Sequence, residues 1–371
     1  MLNELNQFIP VAEKVFNKKS TLSALSNVCI NNGEIYITDL ENTLVLPINT
    51  NVNCLLSFDI LKKVLKQKPN NLGLLLNDDK VVVDYDGKNV SARLLDIEEY
   101  PSLPKGEFKV AGNWSKDVIK IMNKQLDYTS NDELKPALMG MHVVQNDSIT
   151  SCATNGHRLR KYYHLEKENS FIVDKFDGII SAKAIKILEK MTDESLIVSV
   201  TREVGESKRI HYFKFHSANG FDLYTRAVDE NYPDEDSVIP KEVSFNVVFD
   251  RKELMNLAKE SCDFINKTTY QGVMEFIDNE ILLHGKDCEQ EIEFNGKTEN
   301  FGDKPDFKIA FNMKYLSEIL KTCETDRVNL GLKSPINAAL FTEIPNGIMD
   351  SIPENVMLLM PIRLPNKEDE E

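Results

Sequence analysis

The 371-residue sequence predicts an α+β protein made of three copies of one domain, each with two helices packed on antiparallel sheet. A ten-residue helical pattern occurs three times, a hairpin pattern precedes each copy, and strand patterns follow it. The helical pattern reads SFDILKKVLK at 57–66, SAKAIKILEK at 181–190 and NMKYLSEILK at 312–321. Each copy opens on Ser or Asn, which accept a hydrogen bond at a helix start. Intervals of 124 residues (57 to 181) and 131 residues (181 to 312) indicate repeated domains rather than solenoid units.

The first repeat is expected to span residues 1–105 and to begin with an amphipathic helix at 9–19. In that helix Val11, Val15 and Phe16 would face inward. A hairpin follows at 26–37, where alternating apolar residues flank an Asn-Asn-Gly turn. After the hairpin we expect a strand at 44–48 and then the first copy of the recurring helix at 57–66. Three further strands are expected at 72–76, 80–85 and 89–94. The repeat closes at EEYPSLP, 98–104, because a residue before proline favours extended backbone.

The second repeat, residues 106–240, is expected to follow the same order. Its first helix is predicted at 114–126, with Trp114, Val118 and Ile121 inward, and its hairpin at 140–149. Its other strands are predicted at 108–112, 196–201, 209–216 and 221–227. It ends at Tyr232-Pro233, which stands 132 residues after Tyr100-Pro101.

The third repeat, residues 241–371, is expected to repeat the order once more. The pattern predicts a strand at 245–250, a helix at 251–262, a hairpin at 272–281 and a last strand at 356–364. The final segment PNKEDEE, 365–371, is an acidic tail that we expect to be disordered.

The composition is that of an ordinary globular protein, with 42% hydrophobic residues, 28% charged residues and a net charge of −15. The first residues lack a basic stretch followed by an apolar core, so no signal peptide is expected. No apolar run approaches the roughly 20 residues of a membrane helix. The six cysteines lack C-x-x-C spacing, which favours reduced thiols in a cytoplasmic protein over disulfides or a metal site.

Positive charge is concentrated on the predicted helices, although the chain as a whole is acidic. Within several helices the basic residues recur three, four or seven positions apart, which places them on one face. The basic residues of the six helices are Lys14, Lys18, Lys62, Lys63, Lys66, Lys116, Lys120, Lys124, Lys183, Lys186, Lys190, Arg251, Lys252, Lys259, Lys314 and Lys321. A solvated helix surface is the ordinary explanation, but sixfold recurrence in an acidic chain favours a surface for phosphates. No aromatic residues interleave with these lysines, so contacts would be to the nucleic-acid backbone, without sequence specificity.

The sequence lacks the motifs for phosphate loops, dinucleotide binding, zinc proteases and serine hydrolases, and it predicts no cofactor or metal site. The densest polar cluster, ATNGHRL at 153–159, directly follows Cys152. An enzyme interpretation would make Cys152 a nucleophile or His157 a general base. We do not favour it, because Cys152 lies in a strand pattern without a positive environment and the other histidines lack metal-ligand spacing.

The segment ATNGHRL, together with MPIRL at 360–364, resembles the bacterial sliding clamp, the beta subunit of DNA polymerase III. The resemblance extends through LSNVCINNGEIYITDLE, the two Tyr-Pro repeat ends, TTYQGVMEF and KTCETDRVNLGL, and it covers essentially the whole chain in register. It implies the DNA-clamp fold and a non-catalytic processivity factor, a head-to-tail homodimer that closes as a ring of six domains around duplex DNA. The helices would line the hole, where Lys19 also matches a DNA-contacting position, and a clamp loader would open the ring.

In this family a pocket between the second and third domains binds short peptides from polymerases, the clamp loader and repair proteins. Apolar walls in such a pocket bury Leu or Phe anchors, and Met adapts to several partners. The resemblance assigns the pocket to Leu138, Thr154, Gly156, His157, Arg158, Leu159, Pro233, Val238, Leu358, Met360, Pro361, Ile362 and Arg363. Ordinary strand packing is the alternative explanation for these residues. Peptide preference is expected to differ from the family's, because Ser237 stands where Arg is common and Ala339 where Ser is frequent.

The resemblance also assigns the contact between two copies of the chain. One side of that contact consists of Phe264, Ile265, Glu289, Glu291 and Glu293. The other side consists of Lys88, Val90, Ala92 and Arg93. Because Ala92 is smaller than the apolar residue usual there, we expect a weaker interface. The alternative function is a clamp-fold scaffold of phage or mobile-element type, which binds partners but does not close on DNA.

Overall fold

The structure is a computed structural model that describes residues 1–18, 20, 22–164, 171–191, 194–202, 209–277, 280–286, 291–300, 305–344 and 355–364. Within these ranges the chain forms six α-helices and a larger number of strands. The helices are α1 (Leu2–Val15), α2 (Phe58–Lys66), α3 (Lys116–Gln125), α4 (Ala182–Met191), α5 (Arg251–Ser261) and α6 (Met313–Thr322). The three copies of the recurring sequence pattern are α2, α4 and α6, as predicted.

The strands follow the three predicted repeats. Repeat one contains β1 (Asn27–Asn31), β2 (Glu34–Thr38), β3 (Asn42–Pro47), β4 (Cys54–Ser57), β5 (Leu72–Asn77), β6 (Lys80–Tyr85) and β7 (Lys88–Arg93). Repeat two contains β8 (Lys109–Ser115), β9 (Gly140–Gln145), β10 (Ile149–Thr154), β11 (Arg158–His164), β12 (Phe171–Ile172), β13 (Phe176–Ser181), β14 (Ser195–Arg202), β15 (Ile210–Ser217) and β16 (Asp222–Arg226). Repeat three contains β17 (Phe245–Asp250), β18 (Gln271–Ile277), β19 (Glu280–Lys286), β20 (Glu291–Lys297), β21 (Glu299–Asn300), β22 (Ile309–Asn312), β23 (Arg327–Leu332), β24 (Ala339–Ile344) and β25 (Asn355–Leu359).

The residues of the chain group into two compact units, within which most contacts between residues lie. Unit 1 contains residues 1–123, 140–149 and 166–230, and unit 2 contains residues 124–139, 150–165 and 231–371. The predicted central domain, 106–240, contributes residues to both units. The two units do not test the three predicted domains, so the domain boundaries at 105/106 and 240/241 stay a prediction.

Unit 1 is built on one large antiparallel sheet. Its strands lie in the order β12-β8-β14-β15-β16-β3-β2-β1-β4, and β5-β6-β7 form a separate sheet. The β1–β2 hairpin turns at Asn32 and Gly33, whose φ angles of 52° and 77° fit the turn type that Asn-Gly pairs favour. Helix α1 packs on α4 and β3, and it buries Leu5 and Phe8 completely.

Unit 2 contains two antiparallel arrays. One runs β10-β11-β25-β24-β23-β17-β21, and the other runs β20-β19-β18-β22. Helices α5 and α6 pack on each other, and α6 buries Leu316, Ile319 and Leu320. In α6 the Asn312 side chain accepts a hydrogen bond from the Tyr315 N–H at 3.0 Å, which caps the helix as its sequence predicts.

The first predicted helix was wrong at both ends. Helix α1 begins at Leu2, and the backbone leaves the helical region at Phe16. Pro10 lies inside it, yet buried side chains on both sides of Pro10 share one face, so tertiary packing extends the helix past the proline. Lys18 consequently lies beyond the helix, and Lys19 lies outside the described residues.

Other predictions failed at the ends of elements. Trp114 belongs to β8 rather than to the helix, and its indole N–H donates to the Gln145 side chain at 2.8 Å. Ile119 and Met122, rather than Ile121, are buried beside Val118 in α3. The last strand, predicted at 356–364, is shorter, because β25 ends at Leu359. Ser57 precedes α2, but its side chain makes no capping hydrogen bond.

Candidate functional site

The motifs ATNGHRL (153–159) and MPIRL (360–364), which are distant in sequence, lie side by side in unit 2. Strand β11 pairs antiparallel with β25, with Arg158 opposite Leu359 and Leu159 opposite Leu358. The Met360 N–H donates to the His157 carbonyl at 2.8 Å and continues the contact past the end of β25. Two segments whose paired residues Arg158 and Leu359 are 201 positions apart (359 − 158) thus form one continuous surface, here called the two-motif ridge (154–159 and 358–363).

The turn between β10 and β11 is held by its own side chains. The Asn155 carboxamide oxygen accepts hydrogen bonds from the His157 and Arg158 N–H groups at 3.0 and 3.1 Å. The Thr154 hydroxyl donates to the Arg158 carbonyl at 2.7 Å and accepts from the Gly156 N–H at 3.0 Å. Gly156 has φ +88°, which a side-chain-bearing residue adopts with strain. The turn therefore presents the exposed His157 ring from a fixed backbone, and that ring stacks on Tyr315 with centroids 6.2 Å apart.

Beneath the ridge lies an apolar cluster. Its buried members are Cys152, Leu159, Ala338 and Leu358. The partly buried residues packed around them are Tyr232, Ile239, Leu340 and Met360. Such a cluster, buried inside and partly open at its rim, is the kind of surface on which a Leu or Phe side chain can bind.

Arg158 does not face this cluster. Adjacent residues of a strand point to opposite faces, so Arg158 and Leu159 diverge. The Arg158 guanidinium is buried between the rings of Tyr128 and Tyr315, 5.2 and 4.6 Å from their centroids. It donates to the Glu318 carboxylate and to the Asp127 carbonyl. The Arg158 guanidinium therefore connects the ridge to α6, and the assignment of residue Arg158 to the peptide pocket stays a prediction.

A loop at 233–238 borders the ridge and is anchored from β11. The Lys161 ammonium contacts the carboxylates of Asp236 at 2.7 Å and Glu235 at 3.4 Å. Burial lowers the pKa of Lys161, but the Asp236 hydrogen bond and the Glu235 charge outweigh it, so the pKa is raised. Ser237, which the sequence singled out, donates its hydroxyl to the Asp234 carbonyl at 2.7 Å. Position 237 thus carries a short side chain that is hydrogen-bonded within its own loop, rather than an arginine.

The residues assigned to the pocket differ in accessibility. Those that are buried are Leu138, Thr154, Arg158, Leu159 and Leu358. Those that are partly or fully exposed are Gly156, His157, Pro233, Val238, Met360, Pro361, Ile362 and Arg363. The exposed set can contact a ligand directly, whereas the buried apolar members form the floor beneath it.

A buried polar network supports the ridge from behind. The Gln125 carboxamide donates to the carbonyls of Ser151 and Arg160 at 3.0 and 3.1 Å, and the Ser151 hydroxyl donates to the Gln125 oxygen. That leaves the Ser151 oxygen to accept from His164 Nε2, 2.7 Å away. His164 is buried, and burial lowers its pKa to about 3.

The basic helix residues divide into tethered and exposed groups. Lys183 contacts the Asp39 carboxylate at 2.6 Å and the Val15 carbonyl at 2.8 Å, and Arg251 donates to the Thr325 carbonyl at 2.7 Å. The exposed members are Lys14, Lys63, Lys66, Lys120, Lys124, Lys186, Lys190, Lys252, Lys259, Lys314 and Lys321, whereas Lys62 is partly buried. Several helix lysines pair with single carboxylates, for example Lys62 with Glu13 at 2.6 Å and Lys120 with Asp117 at 3.8 Å.

The residues assigned to the contact between copies lie on or near two sheet edges. Strand β7, which carries Lys88 to Arg93, is at the edge of its three-stranded sheet, and β20 is at the edge of its four-stranded sheet. Glu293 of β20 is exposed and contacts His284 at 3.3 Å. Phe264 is 46% exposed and Ile265 is fully buried in the single chain; the assignment of both residues to the contact between copies stays a prediction. Glu289 lies outside the described residues, and of Glu291 only the backbone is described.

The structure does not support Cys152 as a catalytic nucleophile. Cys152 is buried, and burial raises the pKa of its thiol well above the usual range, so it is not a thiolate at neutral pH. In the described part of the chain, no three His, Cys, Asp or Glu residues are placed to hold a metal ion. Nor does any described helix have the length and apolarity needed to cross a bilayer.

Comparison with known proteins agrees with the geometry. Residues 236–356 match the family described as DNA polymerase III beta subunit, C-terminal domain. Two solved structures superpose over nearly the whole chain. A DNA polymerase III beta subunit from Thermotoga maritima has a TM-score of 0.82 at 21% identity, covering 98% of both chains. A putative beta subunit from Eubacterium rectale has a TM-score of 0.84 at 14% identity, also covering 98% of both. This chain has the bacterial sliding-clamp fold.

Curated relatives extend the likeness to sequence. The beta sliding clamp of Rickettsia bellii is 22% identical over 384 residues, covering 97% of each chain. That of Streptococcus pneumoniae is 25% identical over 390 residues, covering 96% of each. The resemblance found in the sequence to the bacterial sliding clamp is thereby confirmed.

Sequence reasoning missed several residues that shape this surface of the clamp fold. Tyr315 stacks under His157, and Lys161 anchors the 233–238 loop. Leu340 contributes to the cluster from β24, a strand that the sequence analysis did not predict, and Ala338 lies directly before that strand. The short apolar run Ala-Ala-Leu-Phe at 338–341 was the available signal for that strand.

Proposed function

We propose that this protein is a DNA sliding clamp, a non-catalytic processivity factor of DNA replication. Two copies close around duplex DNA and tether a DNA polymerase and other proteins through the two-motif ridge. A clamp loader opens the ring, and the protein works in the cytoplasm. The relatives named as beta sliding clamps support this function, and the pattern of strand pairing gives it a physical basis.

The pairing between repeats is the observation that carries the proposal. The last strand of repeat two, β16, pairs with the third strand of repeat one, β3. The last strand of repeat three, β25, pairs in the same way with β11. Strand β11 is the fourth strand of repeat two and corresponds to β3, because repeat two has one additional strand, β8, before its first helix. The remaining equivalents, β7 and β20, are each at the edge of a sheet among the described strands. A second copy supplies both missing partners, β20 for β7 and β7 for β20, and two such joints close the assembly.

The charges of the two edges suit this joint. Strand β7 carries Lys88 at its start and Arg93 at its end, whereas β20 carries Glu291 and Glu293. Opposite charges across paired strands favour the intended partner, and like charges oppose pairing of β7 with another β7.

The exposed lysines of the helices supply the DNA surface in this proposal. Lys186 and Lys190 lie four residues apart on α4 and are both exposed. A clamp retains DNA by topology, so such contacts are mobile, independent of sequence and weakened by salt.

Reversal of charge on α4 tests the DNA surface. In Lys186→Glu/Lys190→Glu, anisotropy titrations with a labelled duplex should show weaker binding, and the slope of log K against log salt should fall by about two. A matched control, Lys105→Glu/Lys109→Glu, changes the net charge equally at two exposed residues outside the helices. Equal losses in both variants would contradict the assignment of the α4 face to DNA.

A peptide titration tests the ridge separately. A labelled peptide with the Gln/Leu/Phe pattern that clamps bind should bind the wild type saturably, with a Kd in roughly the micromolar range, or about −8 kcal/mol. Met360→Ala should weaken this binding, because Met360 is a partly exposed member of the cluster rim. Wild-type binding that Met360→Ala leaves unchanged would place the peptide elsewhere. No binding by the wild type would indicate dedicated partners or the scaffold function.

A further inference from the structure

A polar pocket in unit 1 shares no residue with the two-motif ridge, with the six helices or with the edge strands β7 and β20. Its volume is about 640 Å³, which is within the range of small-molecule sites. It lies between the segment that leads into β8 and the adjoining ends of β14 and β15. The polar residues that line it are Lys105, Glu107, Lys109, Thr201, Arg202 and His211.

An irregularity in the β14–β15 ladder explains why neighbouring residues of β14 line the same pocket. Thr201 is opposite Tyr212, but Arg202 is opposite Ile210, so His211 is an extra residue on β15. Adjacent side chains of a regular strand point to opposite faces, whereas a bulge redirects them locally. The bulge thus brings Thr201, Arg202 and His211 to one pocket.

The Thr201 side chain is buried at this pocket with an unused hydroxyl. Thr201 is only 8% exposed, and its hydroxyl has no hydrogen-bond partner among the described residues. Gly106 lies close to it, since a Cβ at Gly106 would be 3.1 Å from Thr201 Oγ1, and its φ of +146° favours glycine. A polar group that is withdrawn from water without a partner is unfavourable, and a ligand oxygen in the pocket would accept this O–H.

The lining is positively charged, although the chain has a net charge of −15. Three cations, Lys105, Lys109 and Arg202, stand against the single carboxylate of Glu107, so the formal charge of the lining is +2 with His211 neutral. The Lys109 ammonium is 4.0 Å from the Glu107 carboxylate, and both side chains are exposed, so this pair is weak. A surplus of two positive charges suits a phosphate monoester, which carries nearly two negative charges at neutral pH.

The Arg202 guanidinium is held in position from behind. Its Nη1 donates to the Asp174 carboxylate at 2.8 Å, and its Nη2 donates to the Lys175 carbonyl at 2.9 Å. A guanidinium has five N–H donors in a planar fork, so these two bonds leave donors for a ligand. An arginine that is already fixed loses little side-chain freedom when it binds a phosphate group.

We propose that this pocket binds a phosphate-bearing small molecule. Arg202, Lys105 and Lys109 neutralise the phosphate, and the Thr201 hydroxyl donates to one of its oxygens. The volume of the pocket leaves room for an organic group attached to the phosphate. The clamp would thereby have a soluble ligand in addition to DNA and partner peptides.

Isothermal titration calorimetry on the full chain tests the proposal. The probes are adenosine monophosphate and inorganic phosphate, with adenosine as the phosphate-free control. We expect the monophosphate to bind saturably at one site per chain and adenosine not to bind. Arg202→Gln should weaken binding about tenfold, because it removes the fixed cation. Thr201→Val, which removes the hydroxyl at nearly constant volume, should weaken it about fivefold.

Two further variants serve as controls. Arg209→Gln removes a nearby arginine that contacts Asp229 at 2.8 Å and does not line the pocket, so it should bind the monophosphate like the wild type. Lys105→Glu/Lys109→Glu should lose the monophosphate but bind duplex DNA like the wild type, because the proposed ligand of the pocket is a small molecule rather than DNA.

The two phosphate probes separate the sources of the ligand. Tighter binding of the monophosphate would support an organic phosphate, and equal binding of inorganic phosphate would support the free ion. Either result agrees with the proposal. The absence of saturable binding by both probes would overturn it, as would equal affinity for adenosine and the monophosphate. Equal binding by Arg202→Gln and Arg209→Gln would place the phosphate outside this pocket and overturn it too.

Discussion

Mild acid should destabilise unit 2 through one buried histidine, His164. Its Nε2 donates to the Ser151 oxygen, 2.7 Å away, and its Nδ1 has no hydrogen-bond partner among the described residues. Protonation would place a charge on Nδ1 in a buried site without an acceptor, which is why burial lowers the pKa of His164 to about 3. An unfolded histidine takes up its proton near pH 6.5. Between these values the unfolded chain binds one more proton than the folded chain, so stability falls as the pH falls.

The size of the effect follows from the linkage relation. Between about pH 7.5 and pH 5 the unfolded state gains the proton and the folded state does not, which removes about 2 kcal/mol of stability. Any folded pKa below about 4 gives nearly the same value at pH 5, so the prediction does not depend on the precise shift.

Denaturant unfolding at about pH 7.5 and pH 5, monitored by circular dichroism, measures the loss of unfolding free energy on acidification. In His164→Gln the loss of stability on acidification should be smaller than in the wild type by about 2 kcal/mol. The matched control is His211→Gln, at an exposed histidine, which should keep the wild-type dependence. An equal loss of stability on acidification in wild type and His164→Gln would refute the reasoning.

Three further changes probe other contacts. Arg158→Ala should lower the free energy of unfolding by about 3 kcal/mol, because it leaves the partly buried Glu318 carboxylate without its ion-pair partner. Arg158→Lys should lower it less, and calorimetry would measure both variants. Equal losses would argue against a role for the planar contacts of the guanidinium with the two tyrosine rings. Tyr100→Phe should cost about 1–2 kcal/mol, because the buried Tyr100 hydroxyl bonds two backbone groups of repeat one, and a neutral result in the same assay would contradict that role. Iodoacetamide near neutral pH should label the partly exposed Cys262 well before the buried Cys152, as followed by mass spectrometry; faster labelling of Cys152 would revive it as a nucleophile.

The repeated architecture could be predicted because it rests on local patterns. The recurring helices α2, α4 and α6 appear where apolar spacing places them, and the Asn-Asn-Gly turn forms the β1–β2 hairpin. The errors arise where long-range packing decides. Burial of one face extends α1 through Pro10. Trp114 lies in a strand because it bonds to Gln145, a residue 31 positions away that the local sequence around Trp114 does not include.

The site was predicted at the level of segments rather than of side chains. The two motifs that the resemblance paired do meet, through β11 and β25. Which side chains face a ligand depends on strand alternation and on partners distant in sequence. The guanidinium of Arg158, for example, donates to Glu318 of α6 and to the Asp127 carbonyl just after α3. Likewise, Phe264 is exposed in the single chain, whereas its neighbour Ile265 is buried.

The mass of the protein in solution tests most directly whether the chain closes through β7 and β20. Sedimentation equilibrium over a range of concentrations should show a dimer of the 42.3 kDa chain. Lys88→Glu/Arg93→Glu places acidic side chains opposite the acidic β20 strand and should yield a monomer. Lys105→Glu/Lys109→Glu, with the same net charge, should remain a dimer. A wild type that is monomeric throughout, or a β7 variant that dimerises as tightly as the control, would contradict the account of this protein as a ring-forming clamp.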